Sequence, residues 1–543
     1  MCGILAILLK QSGSYNKREM RKIAIARSKL MRHRGPDWSG CYMDNNVIMC
    51  HERLSIIDVF HGAQPLISKD GNIVLAVNGE IYNYKELRKE FKEDDFMTDS
   101  DCEIIINLYQ RYGEHFMTRN LLRGMFAFVL YDKNRNKVIV ARDHLGIIPL
   151  YTGHHDNGVM ISSEMKGLSG LCDHIKVFPP GNFFIDGNYH EYYTPMWKYE
   201  MGKNKVDYND LRMILKESVR KHMMSDVPYG VLLSGGIDSS LVASIATRNT
   251  SEKLKSFCIG LKGSPDLKAA KEVANWIGTE HYSFEYTIEE GLDALEDVIY
   301  HIETYDVTTI RASTPMYLLA RRIRAMGIKF VLTGEVSDEI SGSYAYFKYA
   351  PNKKEFYEET VRKVNDLYKY DLQRANKSML SWSVEARVPF GDQEVVDYIM
   401  NLDPNEKMWN DDKIEKYYLR KAFDSETDPY LPKDMLWRKK EQFSDGVGYN
   451  WVDELKKYAN DHVTDEDMLN VEQTFPTNPP KSKEEYLYRS IFEKHYPSRD
   501  CVLTVPYERS VACSTEKAME WMDSKQIVDP SGRAVSGHVA ELK

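Results

Sequence analysis

Two short segments carry residue types that could do chemistry, and the first is VLLSGGIDSSLVASIA. A buried-strand pattern ends at Leu233, the turn Ser234-Gly235-Gly236 follows, and a helix pattern starts near Asp238. Glycines let backbone N–H groups converge on an anion, and a helix N-terminus adds partial positive charge. The alternative is a tight, capped strand-to-helix turn, which would explain one glycine but not two. The segment therefore predicts a phosphate-binding loop.

An acidic side chain beside a phosphate site requires a cation between the two. Asp238 lies inside this loop, followed by Ser239. Mg²⁺ is the usual bridge between a carboxylate and nucleotide phosphates. The loop is not a Walker A motif, because the G-x-x-x-x-G-K-S/T pattern is missing. We therefore expect Mg²⁺ and a nucleotide whose phosphates are bound by a loop other than a Walker A loop.

The second segment is the amino terminus, MCGILAILLK. Removal of Met1 would leave Cys2 with its thiol and α-amine on one residue, and an amine of pKa ~7.7–8.0 can take the thiol proton. The alternative is a buried first-strand cysteine, since cysteine is among the most buried residue types. On this segment alone the alternative is favoured.

Three downstream segments bear on that choice. Arg53 in HERLSIID could hold a carboxylate, Asn78 and Gly79 in AVNGEIYN could donate to an oxyanion, and Asp101 in SDCEIII begins a helix pattern. Each has a simpler reading: a surface ion pair, a hairpin turn and an N-cap. The residues alone leave both readings open.

The elements that must position these residues fall into two kinds. Residues 2–194 show short apolar or alternating runs with the hairpin signal FAFVLYDKNRNKVIVARD and two helical patterns, which predicts an α+β domain with antiparallel sheet. The polar segment PMWKYEMGKNKVDYND is the candidate linker. Over residues 207–496, strands alternate with helices, which predicts an α/β domain with a parallel sheet and additional helices. Residues 497–543 form a tail with little apolar periodicity, which we expect to be partly mobile.

Composition excludes several classes of protein. The net charge is −9 with no basic block, which argues against nucleic-acid binding. The longest apolar runs fall far short of the ~20 residues of a membrane span, and no signal-peptide pattern occurs. The eight cysteines are scattered without a CxxC pair, which favours reduced thiols in the cytoplasm.

Motifs along nearly the whole chain resemble known families. MCGI, MRHRGPDWSG, HERLSIID, AVNGEIYN, SDCE and RDHLGIIPLY are similar to class II glutamine amidotransferases, which are N-terminal nucleophile hydrolases. SGGIDSS matches the pyrophosphate loop of ATP pyrophosphatases. Together with YHIETYDVTTIRASTPMYL, EARVPF, KEQFSDGVGY and DPSGRAV, these motifs closely resemble the glutamine-dependent asparagine synthetases.

The resemblance implies roles for particular residues. Cys2 is similar to the nucleophile that attacks the glutamine amide, with Asn78 and Gly79 as oxyanion donors and Glu335 as the catalytic glutamate thought to manage the ammonia proton. Asp238 and Asp338 resemble Mg²⁺ ligands, and Arg387 a basic residue on the substrate side of the synthetase site. The implied glutamine-binding set is Arg53, Leu54, Ser55, Ile56, Ile57, Asn78, Gly79, Glu80 and Asp101. The implied ATP-binding set is Leu233, Ser234, Gly235, Gly236, Asp238, Ser239, Ile259, Thr333, Gly334 and Lys440.

The reaction implied by the resemblance couples two sites. Glutamine gives ammonia at Cys2, aspartate and ATP give β-aspartyl-AMP and pyrophosphate, and ammonia passing through an internal tunnel converts the adenylate to asparagine. The expected cofactor is Mg²⁺, the partners are glutamine, aspartate and ATP, and the assembly is a homodimer.

The resemblance weakens at three positions of the synthetase half. In TGEVSDEISGSY, Val336 and Ser343 stand where the family has glycines, and Gly391 stands where it usually has leucine. A valine would be strained by about 1–3 kcal/mol if the lost glycine had a positive φ. These departures are either tolerated drift or a sign of reduced or altered synthetase activity. Two alternatives to an asparagine synthetase stay open. One is a ligase acting on another carboxylate, such as a β-lactam-forming relative, although those relatives commonly lack the terminal cysteine. The other is a family member with an impaired synthetase site that acts as a glutaminase or binding protein.

Overall fold

The structure is a computed structural model that describes residues 1–10, 16–438, 450–507 and 516–523. Two antiparallel sheets form the N-terminal part. Their strands, in chain order, are β1 (Gly3–Leu9), β2 (Trp38–Met43), β3 (Val47–Arg53), β4 (Leu66–Ile67), β5 (Ile73–Ile81), β6 (Gly124–Asp132), β7 (Lys137–Arg142), β8 (Tyr151–His155), β9 (Gly158–Ser162), β10 (Asp173–Val177), β11 (Asn182–Ile185) and β12 (Asn188–Glu191). One sheet has the order β10-β8-β9-β1-β3-β2 and the other β12-β11-β7-β6-β5-β4.

Side chains along each strand alternate between the two faces of its sheet, so one apolar face of each sheet packs against the other sheet. Ile4 of β1 and Val74 of β5 share one core between the sheets, whereas Leu5 turns outward to α1 (Lys17–Lys29). On the other sheet, Leu75 turns outward to α3 (Ile104–Tyr112), which follows the short α2 (Tyr84–Arg88). The predicted hairpin is formed by β6 and β7. Single turns of 3₁₀ helix occur at Glu93–Asp95, Asp101–Glu103, Gly113–Phe116, Met165–Gly167 and Met196–Lys198.

The second part is built on a parallel sheet in the order β15-β14-β13-β16-β17. These strands are β13 (Gly230–Leu232), β14 (Lys255–Leu261), β15 (Glu280–Tyr286), β16 (Phe330–Leu332) and β17 (Glu385–Arg387). Apolar residues from both faces of this sheet are buried under helices. The predicted order of an α+β part followed by an α/β part with a parallel sheet is therefore confirmed.

Helices dominate the remainder of this part. They are α4 (Tyr208–His222), α5 (Ile237–Thr247), α6 (Pro265–Ile277), α7 (Ile288–Asp293), α8 (Leu295–Ile302), α9 (Val307–Ala325), α10 (Ser337–Ser341), α11 (Lys353–Asp366), α12 (Asp371–Leu380), α13 (Gln393–Met400), α14 (Pro404–Lys407), α15 (Tyr417–Phe423), α16 (Lys433–Leu436), α17 (Asn450–His462), α18 (Asp465–Leu469), α19 (Val471–Thr474), α20 (Lys483–His495), α21 (Arg499–Leu503) and α22 (Glu516–Asp523). Short 3₁₀ turns occur at Ala345–Tyr349, Leu367–Lys369 and Pro389–Gly391. Among the residues described, no helix is long and apolar enough to cross a membrane.

Candidate active sites

Cys2 directly precedes β1 and is buried. Its backbone N–H donates to Oδ1 of Asn78 at 2.7 Å, and its Sγ lies 4.0 Å from the carbonyl oxygen of Leu54. Nδ2 of Asn78 donates to Oγ of Ser163 at 3.3 Å. Burial raises the pKa of the Cys2 thiol, so the thiol needs a base to become a nucleophile. The structure thus brings Cys2 and Asn78 together.

Met1 is still attached in this chain, and its α-ammonium is buried. Burial opposes the charge, but the carboxylate of Glu385 pairs with it and raises the pKa of the amine. Because the amine belongs to Met1, Cys2 has only a peptide N–H beside its thiol. The chain with Met1 therefore lacks the built-in base that an N-terminal cysteine has.

Gly79 is in β5, not in a hairpin turn. Its φ is +142°, and a Cβ there would lie 2.0 Å from the carbonyl oxygen of Met125 on the neighbouring strand. Only glycine fits this close approach of two backbones. The hairpin-turn reading of Asn78-Gly79 is therefore wrong, because both residues pair with β6.

Arg53 ends β3 and shapes the segment that follows it. Its Nη2 donates to the carbonyl oxygens of Ile57 at 3.0 Å and Asp58 at 2.6 Å. Four of the predicted residues in this segment are buried: Leu54, Ser55, Ile56 and Ile57. Of these, Leu54 has its carbonyl oxygen 4.0 Å from Sγ of Cys2. The guanidinium is held by backbone oxygens, and its role as a carboxylate clamp stays a prediction.

Glu80 and Asp101 lie beside each other at the end of β5. Oδ2 of Asp101 accepts the backbone N–H of Ile81 at 2.7 Å, and burial raises the pKa of Asp101 to about 6. The helix cap at this point is Ser100, whose side chain accepts the N–H of Cys102, so the N-cap reading of Asp101 is wrong.

The guanidinium of Arg387 lies at the junction of the two parts. It is fully buried, with Nε donating to Oε1 of Glu385 at 2.6 Å and Nη2 lying 3.2 Å from Oε2 of Glu80. Burial raises the pKa of Glu80 well above its usual range. Arg387 therefore connects a synthetase strand to a residue of the predicted glutamine site.

Arg34 was not among the predicted site residues, although it lies in the motif MRHRGPDWSG. Its Nε donates to the carbonyl oxygen of Cys2 at 2.9 Å, Nη1 to Glu164 at 2.8 Å and Nη2 to Oδ1 of Asn376 at 3.0 Å. Asn376 is on α12 of the second part. Arg34 thus holds the backbone of Cys2 and contacts both parts of the chain.

The predicted phosphate loop joins β13 to α5. Oγ of Ser239 lies 3.0 Å from Oγ of Ser234, and it accepts the backbone N–H of Ser234 at 3.2 Å. Gly235 has φ +80°, and a Cβ there would lie 2.5 Å from Cβ of Ala269. A Cβ on Gly334 would lie 2.6 Å from the backbone N of Ser239, so the second glycine segment packs against the start of α5.

Asp238 and Asp338 face each other across Lys416. The Nζ of Lys416 lies 2.5 Å from Oδ2 of Asp238 and 2.5 Å from Oδ1 of Asp338. Both carboxylates thus reach one cation, and the buried ammonium marks the place between them. Mg²⁺ bound by one or two carboxylates and nucleotide phosphates is the ordinary arrangement, so this donor set fits that ion. Lys416 was missed by sequence reasoning.

Glu335 pairs with Arg374, another residue that sequence reasoning missed. Nη1 of Arg374 donates to Oε1 of Glu335 at 3.1 Å and Nη2 to Oε2 at 2.7 Å, while Asp371 accepts from the same guanidinium at 3.0 Å. Burial raises the pKa of Glu335, although Arg374 opposes the shift. The carboxylate therefore sits where its proton affinity is increased.

The remaining ATP-set residues fall into two groups. Leu233, directly after β13, and Ile259, in the neighbouring strand β14, are both buried. The backbone N–H of Thr333 donates to the carbonyl oxygen of Arg387 at 2.9 Å. Lys440 and the rest of the motif KEQFSDGVGY, residues 440–449, lie outside the described residues. The tail motif DPSGRAV also lies outside them.

The three departures from the family pattern lie around Asp338. Val336 has φ +79°, so the predicted strain of a β-branched side chain is present. A Cβ on Gly391 would lie 3.4 Å from Cγ2 of Val336, so the larger and the smaller substitution face each other. The hydroxyl of Ser343 donates to Oδ1 of Asp338 at 2.6 Å. The substitutions are thus accommodated without loss of the acidic residues.

The fold and the two sites define a class: an amidotransferase with a cysteine at its first sheet, joined to a nucleotide-activating ligase. A family model described as "Glutamine amidotransferase domain" matches residues 1–179, and one described as "Asparagine synthase" matches residues 210–357 and 349–523. Asparagine synthetase [glutamine-hydrolyzing] of Asparagus officinalis is 51% identical over 99% of this chain and 93% of its own. Asparagine synthetase B [glutamine-hydrolyzing] of Escherichia coli K12 is 51% identical over the whole of both chains.

The chain belongs to the glutamine-hydrolysing asparagine synthetases, as the motifs predicted. It is accordingly a ligase of amino-acid biosynthesis with an amidotransferase domain. The differences at Val336, Ser343 and Gly391 therefore do not place the chain in another family.

Proposed function

We propose that this protein makes asparagine from aspartate, ATP and the amide nitrogen of glutamine. The observation that carries the proposal is the presence, in one chain, of Cys2 beside Asn78 and of two carboxylates converging on Lys416 next to a phosphate loop. Each half of the reaction then has its own site.

At the first site, Cys2 is the nucleophile once Met1 has been removed. Its freed amine takes the thiol proton, and the thiolate attacks the glutamine side-chain amide to form a thioester and release ammonia. Asn78 and Gly79 stabilise the oxyanion, because a donor aimed at a developing negative charge lowers the barrier. Arg53, Glu80 and Asp101, with Leu54 to Ile57, bind the amino-acid end of glutamine.

At the second site, the loop from Ser234 to Ser239 binds the pyrophosphate part of ATP, with Leu233, Ile259, Thr333, Gly334 and Lys440 completing the site. The β-carboxylate of aspartate attacks the α-phosphorus, and pyrophosphate leaves. Asp238 and Asp338 would hold Mg²⁺, which would neutralise phosphate charge. Lys416, paired with both carboxylates, places a further positive charge beside the phosphate loop.

Ammonia then attacks the acyl carbon of β-aspartyl-AMP, and AMP leaves. The attacking nitrogen must lose a proton, and Glu335 is the group that accepts it. Its proton affinity is increased by burial, and Arg374 holds the carboxylate by two hydrogen bonds. Ammonia reaches this site through an internal tunnel, since water near neutral pH would protonate it. Arg387 acts on the substrate side by fixing the junction through Glu385 and Glu80.

The domain limits, the assembly and the location belong to the same proposal. We assign the amidotransferase domain to residues 2–194, the synthetase domain to 207–496 and a tail to 497–543. A cytoplasmic homodimer is what the resemblance supports.

Release of pyrophosphate tests the proposal. The purified protein is given ATP and Mg²⁺ with ammonium salt, with and without aspartate, and β-alanine serves as a matched acid that lacks the α-carboxylate. We expect pyrophosphate only with aspartate. Pyrophosphate formed equally with other acids would redirect the assignment to another ligase. Glutaminase activity without any pyrophosphate would mean that the synthetase site is impaired.

A further inference from the structure

Two cysteines outside the residues assigned to either active site face each other on neighbouring strands. Cys41 is on β2 and Cys50 on β3, and the register pairs them directly. Their Sγ atoms are 3.5 Å apart, and both are free thiols. The mechanism proposed above uses neither of them.

The position of this pair in the ladder is the one in which side chains come closest. The backbone N–H of Asp44 donates to the carbonyl oxygen of Val47, so the pair at the hairpin turn is hydrogen-bonded. Hydrogen-bonded and non-hydrogen-bonded pairs alternate along an antiparallel ladder. Three steps back, Cys41 and Cys50 are therefore a non-hydrogen-bonded pair, for which the Cα separation is ~4.5 Å, within the range that a disulfide spans.

We propose that Cys41 and Cys50 form a reversible intrachain disulfide when the protein meets a low-molecular-weight disulfide such as oxidised glutathione. The thiolate of Cys41 attacks one sulfur of the oxidant, the sulfur–sulfur bond breaks, and one glutathione thiolate leaves. Cys50 then gives up its proton and attacks the Cys41 sulfur, which expels the second glutathione. Two protein thiols are oxidised, and one disulfide is reduced to two thiols.

The surroundings give the two cysteines different parts in this exchange. Cys41 is partly exposed on β2, the last strand of its sheet, whereas Cys50 is buried between β2 and β1. The hydrogen bond from Cys50, aided by Arg21, lowers the pKa of Cys41 to about 7 against the opposing effect of burial. Cys41 is thus the accessible attacking thiol and Cys50 the resolving thiol.

The bond would be easy to reduce again. Side chains of directly opposed strand residues have Cβ atoms ~4.5–5.5 Å apart, whereas a disulfide prefers ~3.8 Å. Closing that difference strains the link, and strained disulfides are the labile ones. Such a bond is consistent with a compartment in which disulfides are transient.

A single peptide reports the modification. Trypsin cuts after Arg34 and Arg53, so residues 35–53 contain Cys41 and Cys50 and no other cysteine. The full-length protein is incubated with oxidised glutathione, remaining thiols are alkylated, and the peptide is weighed. We expect a peptide that is lighter by two hydrogen atoms and carries no alkyl group, and that dithiothreitol restores.

Variants and the unfolded chain complete the test. Cys50→Ser should leave glutathione attached to Cys41, whereas Cys172→Ser, at another buried cysteine, should leave the disulfide unchanged. Because the fold holds the two sulfur atoms in contact, the disulfide should form about tenfold faster in the folded protein than in urea. The proposal is overturned if the wild-type peptide is alkylated at both cysteines, if it retains glutathione, or if the unfolded chain reacts as fast.

Discussion

The reactivity of Cys2 depends on atoms that other parts of the chain supply. Its backbone is held by Asn78 and Arg34, and burial raises the pKa of its thiol. A buried thiol with a raised pKa is a poor nucleophile, so the free α-amine of the processed chain has to act as its base. Under the proposed mechanism, we therefore expect the first half-reaction only after Met1 has been removed.

Replacing the nucleophile should separate the two activities. We expect Cys2→Ala to abolish glutamine-dependent synthesis and to leave ammonia-dependent synthesis within about twofold of the wild type, since the second site is intact. Asparagine formation is measured with glutamine and with ammonium in parallel, and Cys172→Ser serves as a control that keeps both. Loss of both activities in Cys2→Ala would show that the two-site assignment is wrong.

At the scale of an element, the loop from β16 into α10 carries the departures from the family. Val336 precedes α10 with φ +79°, and Gly391 leaves room for its side chain. Glu335, the proposed proton acceptor, is the residue next to this strained position. We therefore expect the residues at these two positions to be energetically coupled.

A double-mutant cycle tests that pairing. Gly391→Leu should lower the free energy of unfolding by about 1–3 kcal/mol, because the added side chain overpacks against Val336 and Val388. Val336→Gly should recover part of that loss, giving a coupling of about 1 kcal/mol between the two changes. The measurement is urea unfolding of the two single variants and the double variant. Strictly additive effects would mean that the two positions are independent.

Lys407, at the end of α14, predicts a dependence of stability on pH. It is buried, its Nζ donates to the carbonyl oxygen of Ile340 at 3.2 Å, and burial lowers the pKa of its ammonium to about 7. The unfolded chain holds this proton up to pH ~10.4, so between pH 7 and that value it binds more protons than the folded chain. The contribution of Lys407 to stability should therefore rise with pH over this window.

The matched variant is Lys407→Met, which has a similar length and no charge. We expect it to raise the free energy of unfolding at pH 7 by roughly 2 kcal/mol and to lose this advantage as the pH approaches 10. Denaturant unfolding of both proteins across this range measures the difference. An advantage that does not change with pH would exclude the titration of Lys407 as its cause.

How far each site could be predicted depends on whether its residues are contiguous. The phosphate loop and the Cys2 segment were found because their chemistry lies within a few neighbouring residues and matches local backbone requirements. Lys416, Arg374 and Arg34 were missed because their partners lie 178, 39 and up to 342 residues away. Only tertiary packing brings those groups together, so no local pattern announces them. Arg387 was predicted as a site residue, but its place at the junction is set by the pairing of its strand, β17, in the parallel sheet.

At the scale of the whole molecule, buried charges join the two parts. Nζ of Lys166, from the amidotransferase part, lies 2.6 Å from Glu164 and 3.0 Å from Glu303, which belongs to the synthetase part. Nζ of Lys377 lies 2.6 Å from the same Glu303. All four side chains are almost fully buried. The junction is therefore stabilised by buried charged side chains, and water cannot replace a partner that one of them loses.

Neutralising the central carboxylate should weaken the whole molecule. We expect Glu303→Gln to lower the free energy of unfolding by about 3–5 kcal/mol, because two buried ammonium groups lose their shared partner. The exposed pair of Glu296 with His495 provides the control, and Glu296→Gln should cost less than about 1 kcal/mol. Thermal unfolding compares the two variants, and equal costs would contradict the role given to the buried junction.

The most direct test of the whole account follows the nitrogen atom. The processed enzyme is given ATP, Mg²⁺, aspartate and glutamine with an isotope-labelled amide, in the presence of unlabelled ammonium, and the asparagine formed is analysed by mass spectrometry. We expect asparagine that carries the label in its side-chain amide, formed together with pyrophosphate and alongside any unlabelled asparagine made from the added ammonium. Asparagine without any label, or labelled ammonia released without any asparagine, would show that the two sites are not coupled.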